Sequence, residues 1–90
     1  MDPAEFERNV VADGYTLVRR SIEPNLAMDE HEHEWETKGL VVSGAFTIDC
    51  DGERRTYRAG EVFELGADIL HTEFTGPDGV EAIVGRRLKD

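Results

Sequence analysis

The 90-residue chain carries 20 acidic against 10 basic side chains, a formal net charge of −10. That is enough for one modest domain with a real core, leaves no room for a second catalytic unit, and argues against a nucleic-acid partner. Hydrophobic residues make up 39% of the chain, and no apolar run is long enough to cross a bilayer.

From the N-terminus, Asp2, Pro3 and Glu5 have the order of an N-cap, a first helical residue and a capping acid, which predicts a short helix from Pro3 to about Asn9. The segment lacks the basic start and apolar stretch of a secretory signal, so a cytoplasmic location is expected. After Asp13-Gly14, the run from Tyr15 to Arg20 is rich in β-forming residues and reads as a strand, with Pro24-Asn25 breaking the chain before a histidine-rich segment. Leu40 to Val42 and Ala45 to Cys50 form the next extended stretch. Asp51-Gly52 then has the composition of a two-residue hairpin turn, from which Glu53 to Arg58 returns antiparallel. Ala59-Gly60 marks another turn, Val62 to Leu65 another strand, and Gly66-Ala67-Asp68 a loop ahead of Ile69-Leu70-His71. Gly76-Pro77-Asp78-Gly79 reads as a turn before a last strand from Val80 to Val84.

Short strands at regular spacing with glycine-marked turns predict an all-β sandwich or barrel, not βαβ units. Phe46, Ile48 and Cys50 share one strand face, as expected where only one side of a sheet is buried. Cys50 is the single cysteine; it excludes an internal disulfide and is read as a small, inert core residue. The basic residues cluster in the pairs Arg19/Arg20, Arg54/Arg55 and Arg86/Arg87, read as solvated partners of the many surface carboxylates.

The chain has three histidines, and two of them alternate in His31-Glu32-His33. On a strand, alternate side chains project from one face roughly 7 Å apart, a separation that two ligands of one metal can share. His71, at the end of another strand-like run, would complete a set of three imidazoles, leaving open positions for water or substrate. Of the charged run from Asp29 to Glu34, the flanking carboxylates on the opposite strand face would favour cation approach, and Trp35 is read as packing in preference to substrate stacking.

These residues resemble the cupin family, whose first motif reads H-x-H, three or four residues, E, six residues, G, and whose second opens with G and ends around a histidine. His31 and His33 match the paired histidines and Gly44 the closing glycine of the first motif; Gly60 opens the second, and His71 falls eleven residues later. The resemblance implies a single cupin domain over residues 1–90, with the first motif at about 25–44 and the second at about 60–75. The fold it implies is an all-β jelly-roll barrel with a short N-terminal helix, a metal inside and a small-molecule cavity above it.

Two departures bear on chemistry. Thr37 occupies the family's glutamate position, and the acid lies one residue earlier at Glu36, which needs a bulge or turn after Trp35 to point inward. Glu73 shares the parity of His71 and is the other candidate, as fourth ligand or as base. The remaining departures are conformational: Asn25 for an opening Gly, Gly66 and Asp68 for Pro and Gly, and Thr75 for a final Asn. Asn and Asp tolerate left-handed backbone, so these turns are expected to survive.

By resemblance, His31, His33 and His71, with Glu36 or Glu73, would hold one divalent metal: Fe, Mn, Ni or Zn. The expected function is metal-dependent chemistry on a small molecule, with dioxygenase, isomerase and hydrolase reactions open and Glu73 as the base. The rival is a non-catalytic cupin that binds or senses a metabolite, with the metal structural or absent. A homodimer is expected by analogy, with no nucleic-acid or membrane partner.

Overall fold

Asp2 caps a helix in the computed structural model, which describes residues 1–88: its carboxylate accepts from the Glu5 backbone N–H at 3.1 Å. This helix, α1, spans Pro3–Ala12 and so continues past Asn9 to a cap at Asp13. Packing explains the extension. Phe6 and Val10, four residues apart and each 2% exposed, bury one face of α1 on the barrel wall, which rewards a further turn.

Six antiparallel strands follow: β1 Thr16–Ile22, β2 Ala27–His31, β3 Trp35–Cys50, β4 Glu53–Arg58, β5 Val62–Leu65 and β6 His71–Leu88. Two of these are far longer than the sequence suggests, 16 residues for β3 and 18 for β6. Each serves as two strands joined at a corner. The first half of β3 lies between the second half of β6 and β5, with β1 beyond β6; the second half of β3 lies between the first half of β6 and β4, with β2 beyond β6. Counted by halves, the two long strands and four short ones give two four-stranded sheets, the architecture of a jelly roll.

The corners explain one misreading. Gly76-Pro77-Asp78-Gly79 does not reverse the chain: β6 runs on through it, paired through Thr75 with Phe46 before it and through Val80 with Gly44 after it. The segment is an extra loop of chain at a bulge, which bends a strand from one sheet to the other. In β3 the matching irregularities fall between Val41 and Ser43 and between Gly44 and Phe46. The two corners meet backbone to backbone. Gly44 has φ +82°, and a Cβ there would overlap the carbonyl oxygen of Gly79, itself at φ +68°; both positions need glycine for conformation and for space.

The Asp51-Gly52 hairpin forms as expected, with Cys50 opposite Glu53 and positive φ at both turn residues. Asn25 and Asp68 also take left-handed backbone, at φ +55° and +60°. Thr75 holds the neighbouring loop in place: its hydroxyl donates to the Glu23 carbonyl at 2.7 Å and accepts from the Leu26 N–H at 2.9 Å.

Alternation along the long strands builds two cores. Val41, Phe46, Ile48, Phe63, Val80 and Val84 point into the barrel. Leu40 and Ile83, adjacent in sequence to inward residues and paired across β3 and β6, point outward and are covered by Phe6 and Val10 of α1 and by Tyr15. The uninterrupted apolar run Leu40-Val41 is thus a strand segment buried on both faces. Cys50 is partly buried against the barrel core. No helix among the described residues is long and apolar enough to cross a membrane.

Candidate metal centre

β2 ends where β6 begins, and their terminal residues, His31 and His71, are direct partners in register. His71 is buried, 2% exposed, and His31 half-buried. His33 does not share the strand with His31: β2 stops at His31, and residues 32–34 form the connection to β3. The chain must turn there to enter β3, and the His33 carbonyl is held across the barrel mouth by the Asp68 N–H at 2.7 Å. The connection keeps the in-and-out alternation of a strand, with His33 half-buried and Glu32 and Glu34 exposed. Its imidazole therefore still meets the other two.

One ring nitrogen from each histidine lies within 4.8 Å of the others. Ring centroids are 4.4 Å apart for His31 and His71, 4.9 Å for His31 and His33, and 5.4 Å for His33 and His71. Local backbone fixes which nitrogen faces the cluster. Nδ1 of His31 lies 2.7 Å from the Asp29 carbonyl oxygen, and Nδ1 of His71 lies 2.9 Å from that of Ile69. A carbonyl oxygen only accepts, so each Nδ1 carries a proton, which leaves Nε2 as the nitrogen of each neutral ring that can bind a metal. Burial, with His31 and His71 close by, holds His33 below the ordinary imidazole value, and Arg86 adds to the shift against Glu73. His33 is accordingly a neutral donor at pH 7.

Glu73 comes from the same strand as His71, two residues on, and joins the cluster. Its Oε1 is 3.5 Å from His31 Nε2 and its Oε2 3.8 Å from His71 Nε2. A proton on either Nε2 would make these ion pairs; with the rings neutral, as metal binding requires, they are contacts between lone-pair donors. A cation is the natural partner of such a set, and two donors on one tetrahedral metal sit about 3.4 Å apart, close to what is seen. The residues fit a divalent transition metal with nitrogen and oxygen ligands and backbone-anchored imidazoles.

Glu36 is elsewhere. Its carboxylate faces the Arg87 guanidinium, with both oxygens 3.3–3.4 Å from Nη2, so no bulge turns it toward the histidines. Thr37, one residue on, faces the barrel interior instead and lines a cavity of about 60 Å³ beside the cluster. His33, Glu73 and Trp35 also line it, with Phe46 and Phe63 on the apolar side. Trp35 has a role beyond filling space: its ring stacks on His33 at 4.7 Å and 11°, which orients that imidazole.

Two of the three arginine pairs, read from the sequence as solvated, split by strand alternation. Arg19 faces out to Glu7, and Arg87 to Glu36, while Arg20 and Arg86 face the cavity, with Arg86 lying 4.9 Å over the Trp35 ring. Period-two reading of β1 and β6 from their apolar residues, Val18, Ile22, Val80 and Val84, could have found them.

A model of the cupin domain family matches residues 18–84. No curated protein matches the chain in sequence. Among solved structures, a protein of unknown function from Rhizobium leguminosarum bv. viciae 3841 is similar in fold, with a TM-score of 0.78 at 16% identity over 83% of this chain and 71% of that one. KdgF from a Halomonas species gives 0.68 at 24% identity over 84% and 71%. An RmlC-like cupin from Shewanella frigidimarina NCIMB 400 gives 0.68 at 18% identity over 84% and 68%.

Proposed function

We propose that this chain, which belongs to the cupin domain family, binds one divalent transition metal, drawn from Fe, Mn, Ni and Zn, through His31, His33 and His71, and acts with it on a small molecule. The observation that carries the reading is the convergence of the three imidazoles and Glu73 with two Nδ1 atoms already committed to backbone carbonyls. A metal held there would polarise a bound water or substrate oxygen as a Lewis acid.

The chain's own groups have distinct tasks in this reading. The Asp29 and Ile69 carbonyls fix the tautomer and rotation of His31 and His71, so these donors need no reordering when they bind. Trp35 fixes His33. Glu73, with its side chain 14% exposed, is the carboxylate that lines the cavity among the described residues, and it can take a proton from substrate or water and hold it on an oxygen. Phe46 and Phe63 exclude bulk solvent from the inner side of the cavity. Isomerisation and hydrolysis use Glu73 as the base; oxygen chemistry, the third possibility, uses the same histidines.

One observation favours the rival, a cupin that binds or senses a metabolite around a structural metal. Glu73 is near enough to both Nε2 atoms to be a fourth ligand, and a coordinated carboxylate is a poor base. Either reading takes the chain as a cytoplasmic homodimer joined through sheet edges, without nucleic-acid or membrane partners.

Chelator-treated protein titrated calorimetrically with Zn²⁺, Mn²⁺, Ni²⁺ and Fe²⁺ tests the proposal. One site per chain for at least one ion, lost in His31→Ala/His33→Ala, is expected. Absence of saturable heat for every ion would overturn it.

A further inference from the structure

In a chain of net charge −10 with twice as many acids as bases, the cavity beside the histidines is lined by two guanidiniums, Arg20 and Arg86, against one carboxylate among the described residues, Glu73. The arginine ion pairs of the described residues join Arg19 to Glu7, Arg54 to Asp49 and Arg87 to Glu36. Arg20 and Arg86 are in none of these pairs. They come from two neighbouring strands, β1 and β6, at inward positions, whereas their sequence neighbours Arg19 and Arg87 take the outward ion pairs. Arg86 is half-buried, and holding a cationic head against a partly apolar wall costs free energy unless something anionic shares the cavity; Arg20, exposed at its rim, adds a second positive charge.

We infer that this cavity takes a small carboxylic acid, its carboxylate held by Arg20 and Arg86 and its carbon skeleton set against Ile22, Phe46, Phe63 and Val80. The planar guanidinium fork matches a carboxylate bidentately. The apolar wall argues for an organic body rather than an inorganic oxyanion, which is polar on every side. Size sets a limit: about 60 Å³ at 10–15 Å³ per water-sized position holds roughly four to six heavy atoms. That is the scale of propionate and its hydroxy and oxo derivatives. This names a substrate class for the site proposed above and rests on that proposal for the metal-facing end of the ligand; the arginine end stands on the cavity alone.

Trp35 is the single tryptophan, lines the cavity and carries Arg86 over its ring, so its emission reports occupancy. Propionate is titrated at fixed ionic strength into chelator-treated and into Zn²⁺-loaded protein, with propionamide as the uncharged isostere. Saturation-transfer NMR of the propionate methyl protons gives a second readout. Saturable binding of propionate and none of propionamide is expected, already without metal. Arg20→Gln and Arg86→Gln each weaken it about tenfold or more, and Arg86→Lys, which keeps the charge but not the fork, falls between. Arg54→Gln, on the outer surface, leaves it unchanged.

Circular dichroism shows whether each variant is folded; Arg20 is exposed, so its variant separates binding from folding. Equal affinity for propionamide, equal affinity of the Arg20→Gln and Arg86→Lys variants with the parent, or inorganic phosphate binding as tightly as propionate would each overturn the inference. Failure of the metal proposal is read separately: a chain without metal that still binds propionate through the arginines retains this site and loses that one.

Discussion

His31 and His71 stand opposite each other at the ends of β2 and β6, ring centroids 4.4 Å apart, each with Nδ1 donated to the carbonyl two residues before it. The same local device, a ring folded back on its own backbone, aims both Nε2 atoms at one point. Residues 40 positions apart in sequence thus form one half-site through strand register alone.

Glu73, not Glu36, is expected to govern metal affinity. Glu73→Gln keeps the shape and removes the charge beside two Nε2 atoms, and is expected to weaken Zn²⁺ binding about 10- to 100-fold in competition with a calibrated chelator. Glu36→Gln breaks only the Arg87 pair and should leave the affinity unaltered. The reverse order would move the acid of the site to the position one residue before Thr37.

Metal binding at the proposed centre is expected to stabilise the fold. A ligand that binds only the folded chain stabilises it by about 2.7 kcal/mol at one hundred times its Kd, on the order of 10 °C for a domain of this size. Differential scanning calorimetry of chelator-treated protein, with and without added Zn²⁺, should show that rise in the parent and none in His31→Ala/His33→Ala. An equal rise in both proteins would place the binding elsewhere.

The paired corners of the long strands are expected to tolerate no side chain. Gly44→Ala meets both left-handed strain and the Gly79 carbonyl, and should cost at least about 3 kcal/mol in urea unfolding. Gly52→Ala, at φ +77° with open space around it, should cost only the strain, about 1–2 kcal/mol. Similar losses at both sites would mean that the corners are not in contact.

Helix α1 holds the outer face of one sheet through few side chains. Phe6→Ala removes a ring that is 2% exposed and should destabilise by about 3–5 kcal/mol, whereas Val11→Ala, 54% exposed on the same helix, should be near neutral. A small effect of Phe6→Ala would show that α1 is not part of the cooperative unit.

The fold was legible where residues carry conformational information of their own. Asp2-Pro3 set the start of α1, Asp51-Gly52 set a hairpin, and Asn25 and Asp68 took the left-handed backbone that glycine takes elsewhere in the family. What escaped depended on partners distant in sequence. Gly76 to Gly79 has the composition of a turn, but only the facing corner at Gly44 makes it a bend inside one strand. His33 was placed on a strand with His31, and the need to turn into β3 removes it from that strand while leaving its direction. The inward positions of Arg20 and Arg86 followed from the strand period, yet in an acidic chain their charge argued for the surface.

The most direct test is the metal content of untagged protein by mass spectrometry, set beside His31→Ala/His33→Ala purified in the same way. One equivalent of a single transition metal per parent chain and none in the variant is the predicted result. Equal content in the two proteins, whether negligible or stoichiometric, would contradict a metal centre built on these histidines.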